Sequence, residues 1–197
     1  MRMIEADESR MIDLPGVGPC PRPVDIHQGV TGFKRLKSLR IYRFQPGPPI
    51  HGDSEVDEVF ILPLSGAFNI AIRGPHGVEA MLSSAGPLRA VYMTPQHSYL
   101  LTPRNATVVA YARAEAVGVV ASQGLAGNAS RGLAEHLWSR FDRLAVGASI
   151  EVSGEALVHV IRGSTEAARQ GQTLAIGADE VVTVRAVAMA EVLIIGV

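Results

Sequence analysis

Eight residues, His51-Gly-Asp-Ser-Glu-Val-Asp-Glu58, carry one imidazole and four carboxylates. That density of donors suits two chemistries: holding a divalent cation, or moving a proton between an acid and a base. Extended-chain alternation puts His51, Asp53, Glu55 and Asp57 on one side and Glu58 on the other. His97 joins the first group if its strand runs beside this one. With Asp57, the group His51, Asp53, Glu55 and His97 holds more carboxylates than imidazoles, which favours Mn, Mg or Fe over Zn. The competing reading is a solvated acidic turn, as most such clusters are.

Other side chains offer binding rather than proton transfer. Tyr42, Tyr92, Tyr99 and Tyr111, with Arg40, Arg43 and Arg89, could line a pocket for a sugar acid, by ring stacking and carboxylate pairing. Arg40, Tyr42 and Phe44 share one strand face, Ile41 and Arg43 the other, and neither face is purely apolar. The competing reading is that these residues cover a sheet surface. Glu58 and Glu155 start similar strands; a general acid/base there needs burial to bring its pKa toward neutrality, while a plain structural residue needs only a partner at the rim. His159, in Leu157-Val-His-Val-Ile161, reads as a hydrogen-bonded interior or interface histidine. Arg73-Gly-Pro-His-Gly77 is a hairpin tip, because no helix follows to make it a phosphate loop. The chain has no Gly-rich nucleotide loop, serine nucleophile elbow or paired CxxC.

The elements that must position these residues announce themselves by repetition. Glu58-Val-Phe-Ile-Leu-Pro-Leu-Ser-Gly66 and Glu155-Ala-Leu-Val-His-Val-Ile-Arg-Gly163 share an acid, an apolar run and a Gly at one offset. Upstream, Leu39–Gly47 echoes Arg140–Gly147. Short β-favouring runs recur at Leu39–Phe44, Glu58–Leu62, Phe68–Ile72, Val78–Leu82, Ala90–Met93, Ser98–Leu101, Thr107–Ala112 and Val117–Ala121, separated by Gly and Pro turns. This predicts an all-β fold of two small modules in tandem. Residues 1–37 read as an N-terminal arm and 38–121 as the first module. Residues 122–142 read as a linker with a helix over Ser130–Asp142, where Leu133, Leu137, Trp138 and Phe141 form one stripe. The second module, 143–197, has strands near Ser149–Val152, Ala156–Ile161, Thr173–Ile176, Val181–Val184 and Glu191–Ile195. It is shorter, lacking a counterpart of the Val78–Leu82 hairpin, so it must pack against the first module or a partner chain. A homodimer follows from that weakness and from long sheet edges.

Composition sets outer limits. Of 197 residues, 47% are hydrophobic and 19% charged, enough for packed cores. A net charge of −1 gives nucleic acid no electrostatic footing. Apolar runs are too short to span a bilayer, the N-terminus lacks a signal-peptide pattern, and the single Cys20 allows no internal disulfide. A cytoplasmic protein is expected.

The order of strand, Pro-Gly turn, charged loop, Glu-apolar-Gly and Pro-bearing turn resembles the cupin superfamily, whose modules are jelly-roll barrels. Glu58–Ile70, Ala90-Val-Tyr-Met-Thr-Pro-Gln-His97 and Thr107–Ala114 are more closely similar to the N-terminal half of the bicupin 5-deoxyglucuronate isomerase family of inositol catabolism. The resemblance implies one divalent metal such as Mn or Fe, a sugar-acid substrate and an aldose–ketose isomerisation. It would make His51, Glu58 and His97 the catalytic groups, with Arg40, Tyr42, Tyr92 and Tyr99 binding substrate. The departures are in the ligands. Asp53 stands where a second His belongs, Leu100 replaces the second motif's His, and Glu58 is one residue out of register with Gly66. The alternative is a metal-free, non-catalytic cupin relative acting as a small-molecule binding or regulatory module.

Overall fold

A computed structural model describes residues 1–85, 88–117, 123–126 and 136–197, with 88–89 and 123–126 as backbone. The arm contributes β1 (Arg2–Ile4), β2 (Met11–Leu14), β3 (Gly18–Pro21), β4 (Val24–His27) and one helical turn, α1 (Gln28–Thr31). Then follow β5 (Leu36–Phe44), β6 (Ile50–Asp53), β7 (Asp57–Ser65), β8 (Phe68–Gly74), β9 (Gly77–Ser83), β10 (Leu88–Met93), β11 (Ser98–Pro103), β12 (Thr107–Glu115) and β13 (Gln123–Ala126). The chain closes with β14 (Trp138–Leu144), β15 (Ser149–Ser153), β16 (Ala156–Arg162), β17 (Thr173–Ile176), β18 (Val181–Arg185) and β19 (Ala190–Gly196).

Two large antiparallel sheets carry the internal repeat. One runs β13-β10-β7-β12-β5-β4 and the other β1-β17-β16-β19-β14, so β10-β7-β12-β5 and β17-β16-β19-β14 follow one order. Opposite them lie the sheets β6-β11-β8-β9 and β15-β18. The β8–β9 hairpin has no counterpart in the second half; the loop after Arg162 replaces it, held by bridges Ser164↔Arg169 and Thr165↔Ala186.

Strand alternation sorts the apolar residues into three cores. Val59, Ile61, Phe68, Ile70, Val91 and Leu101 fill the first half between its two sheets. Ile150, Val158, Leu174, Val184, Val192 and Ile194 fill the second. The intervening residues, Phe60, Leu62, Tyr92, Leu157, Leu193 and Ile195, join Leu39 and Ile41 in a third core where the large sheets meet back to back. The second half therefore buries the back of its five-stranded sheet against the first.

Gly66 and Gly163 repay the repeat at atomic scale. Their φ angles are +74° and +75°, and a Cβ would lie 2.3 Å from the Ala106 carbonyl oxygen and 2.0 Å from that of Met189. Only glycine fits such a left-handed, backbone-crowded turn.

Two expectations need correction. The arm is woven into the sheets: β1 pairs with β17, β4 with β5, and Cys20, Val24, Ile26 and Phe33 are buried. The helix expected over Ser130–Asp142 is a strand from Trp138 onward, paired with β19 along its length. Residues 130–135 lie outside the described residues, as does the run 118–121. The stripe misleads because Trp138 and the Phe141 edge of the sheet face different packing environments, and seven cross-strand pairs outweigh weak helical periodicity.

Candidate functional site

The first half contains a cavity of ≈ 260 Å³ at one end of its core. Three elements build its polar wall. β5 turns Arg40, Tyr42 and Phe44 inward, β12 turns Val109, Tyr111 and Arg113 inward, and β6 with its following turn supplies His51, Asp53 and Glu55. Tyr99 enters from β11 because Gly52 stands opposite it; a Cβ there would lie 2.5 Å from the Tyr99 ring. Leu14 of the β2–β3 hairpin closes one side.

The charges are distributed unevenly around it. The Asp25 carboxylate lies 2.8 Å from Arg22, 3.1 Å from Arg10 and 3.4 Å from Arg40, so three guanidinium groups share it. The Arg40 contact is made through its buried Nε, an ion pair without a well-formed hydrogen bond. Arg113 is more fully engaged: it donates to the Ser54 carbonyl (2.7 Å) and Glu55 (3.0 Å) and lies 3.3 Å from Asp57. Tyr111 donates its hydroxyl to the Asp53 carbonyl at 2.8 Å. The hydroxyls of Tyr42 and Tyr99 have no hydrogen-bond partner among the described residues. Burial raises the pKa of both Tyr99 and Tyr111 far above the phenol range, so each stays neutral.

Of the residues singled out from sequence, Arg40, Tyr42, Tyr99, Tyr111, His51, Asp53 and Glu55 line this cavity. Arg43 faces the other side of β5, and Glu58, Tyr92 and His97 also lie elsewhere. Glu58 sits on the opposite face of β7, buried between the two halves. There it accepts the Leu137 N–H (3.0 Å) and the Tyr92 hydroxyl (3.1 Å). Tyr92 is fully buried beside it, so it covers the third core rather than a substrate. His97 points away: its Nδ1 lies 2.8 Å from the Pro95 carbonyl and its Nε2 2.6 Å from Glu79. Gln96, at φ 63°, turns the chain just before His97, which lies outside β11. Glu55, at φ 49°, breaks the strand alternation and turns Asp57 inward to Lys37 and Arg113. The side chain of Arg89 lies outside the described residues.

No three His, Cys, Asp or Glu among the described residues are grouped to hold a metal ion. His51, Asp53, Glu55 and His97 are thus not brought together as ligands. The donor set does not fit the metal that the resemblance implies, and no step is routed through one.

Arg113 is a cavity residue that sequence reading missed, whereas Tyr111 was marked as a pocket candidate. The signal for Arg113 was parity with Val109 and Tyr111 in Val109-Ala-Tyr-Ala-Arg113, which alternates large inward residues with alanines.

The architecture is the cupin fold. Bacterial pirin YhhW from Escherichia coli, solved in complex with nickel(II), matches with a TM-score of 0.75 at 10% identity, over 100% of this chain and 98% of that one. An IolB-like protein from Salmonella typhimurium matches at 0.73 and 11%, over 98% and 91%. A cupin 2 conserved barrel domain protein from Leptotrichia buccalis matches at 0.56 and 13%, over 100% and 96%. At these identities the likeness establishes the fold alone. No family model matches the chain, and no curated protein matches it in sequence. Among the described residues no helix is long and apolar enough to cross a membrane.

Proposed function

We propose that the chain is a degenerate bicupin whose first barrel binds a small hydroxylated carboxylate, a sugar acid, as a binding or regulatory module that needs no metal. The observation that carries this is the polarised cavity. Arg40 lines it, its Nε 3.4 Å from Asp25 and its two terminal nitrogens without a hydrogen bond among the described residues, in a group where arginines outnumber carboxylates. A guanidinium with spare donors recognises a carboxylate. Asp53, Glu55 and His51 on the β6 side accept hydrogen bonds from sugar hydroxyls, and the rings of Tyr42 and Tyr99 cover the C–H faces. The volume of ≈ 260 Å³ suits a six-carbon acid.

A second reading, a sugar-acid isomerase, rests on the IolB-like neighbour and on His51, Asp53 and Glu55 beside the same cavity. It is weaker because Glu58 and His97, two of the three groups that the resemblance makes catalytic, are committed to partners away from this cavity. In either reading the chain pairs as a homodimer, with the exposed edge β9 as the available surface; a monomer in light scattering at working concentration would rule this out.

The test is a thermal-melt panel of uronic and aldonic acids against neutral sugars. The acids are expected to raise the melting temperature, the neutral sugars not. Arg40→Gln should weaken binding about 10- to 100-fold, the loss of a charge-assisted hydrogen bond. Gly52→Ala should weaken it too by displacing Tyr99, with the fold intact. Equal response to acids and neutral sugars, or no effect of Arg40→Gln, would refute the proposal.

A further inference from the structure

A second cavity, of ≈ 390 Å³, lies where the two halves and the arm meet. It backs onto the first across β5: Arg40 and Tyr42 face one cavity, Ile41 and Arg43 the other. Its lining is mixed: Val24, Ile41, Leu64 and Val108 from one side and Ile161 from the other give an apolar floor, and the uncharged Gln170 and Gly171 stand beside it. At the rim Arg43 and Glu8 form a two-pronged ion pair, so their charges are spent on each other. Its buried polar group is His159, only 6% exposed. The Nδ1 atom lies 3.0 Å from Thr173 Oγ1, and Nε2 has no partner among the described residues. Burial lowers the His159 pKa to about 4, so the ring is neutral at physiological pH. A neutral imidazole with one nitrogen engaged offers a single further hydrogen bond, and the other nitrogen is free to make it with a molecule in the cavity.

We infer that this cleft between the halves is a second ligand site, for a small uncharged molecule with an apolar body and one hydroxyl or carbonyl that pairs with His159 Nε2. The neutral rim gives no purchase to an anion, which separates this site from the first barrel. An aromatic alcohol has the shape and polarity required, and the cleft is large enough to enclose one.

The test uses the full chain with ¹⁵N-labelled histidine, titrated with benzyl alcohol and separately with toluene while the imidazole resonances are followed by NMR. Benzyl alcohol should shift the His159 Nε2 resonance saturably at millimolar concentration. Toluene should bind about tenfold more weakly, since it leaves the nitrogen unpaired. His159→Leu should abolish that preference. Val108→Phe, which fills the opposite wall without touching the imidazole, should block both probes and keeps the test decisive if His159→Leu misfolds. A non-saturable shift, equal affinity for the two probes in the wild-type chain, or binding undiminished by Val108→Phe would overturn the site.

Discussion

Glu155 receives the backbone N–H groups of Lys34, Arg35 and Leu36 at 2.7, 2.8 and 3.1 Å, and Glu58 receives that of Leu137. Each carboxylate thus holds the segment entering the other half's first strand, β5 or β14. The echo in sequence marked the two acids as equivalent; it could not reveal that their shared task is fastening the halves together, because the partners are backbone groups some 80 to 120 residues away. Burial alone would raise the Glu155 pKa, but its three N–H donors outweigh that and hold it below the usual range. Its contribution is therefore present above the unfolded carboxylate pKa and lost as pH falls through the lower folded value. Glu155→Gln should destabilise the protein by about 2–3 kcal/mol, read as a lower urea midpoint at neutral pH. His159 gives a second pH signature. Its pKa falls from 6.5 to about 4 on folding, so between those values the unfolded chain binds a proton that the folded chain does not. Stability is full above pH 6.5 and should decline by about 3 kcal/mol on approaching pH 4. Urea unfolding across that window should show the slope in the wild-type chain and a flatter one in His159→Gln. The interface position of this histidine was readable from its apolar neighbours; the cavity beside it was not, since it is made by residues from three distant segments.

At the scale of elements, the edge strands are exchanged. β1, which precedes the first half, pairs with β17 of the second, while β13, which precedes the second, pairs with β10 of the first. The central strands were legible because their alternating apolar residues and Gly/Pro turns are local signals. β1 and β4 were not, because residues 1–37 are rich in Gly, Pro and charge and gain order only from a distant sheet edge. β6 was hidden for a related reason: His51-Gly-Asp53 has no β-favouring residue and is set by pairing with β11. Deleting residues 1–5 should uncover β17, lowering stability by about 1–2 kcal/mol. Hydrogen exchange should then accelerate at Thr173–Ile176, while β10 and β7 remain protected. Unchanged exchange at β17 would mean that β1 contributes no ordering.

At the scale of the molecule, three cores and two reciprocal carboxylate clasps make the halves one cooperative body. The repeat and the all-β class were visible in the chain because duplication preserves turn glycines such as Gly66 and Gly163. The first cavity was partly visible: Arg40, Tyr42, Tyr99, Tyr111 and the His51–Glu55 stretch were marked by type, but which strand face looks inward was decided only by the sheet opposite. The same geometry keeps His97 out of the cavity that His51, Asp53 and Glu55 line, and leaves a guanidinium, phenols and carboxylates around one space. The most direct measurement is a calorimetric titration of the chelator-treated protein with D-glucuronate in excess EDTA. Saturable one-to-one binding, unaltered when the EDTA is replaced by Mn²⁺ and weakened in Arg40→Gln, is the expected result. Binding that appears only on adding the metal, or none in either condition, would contradict it.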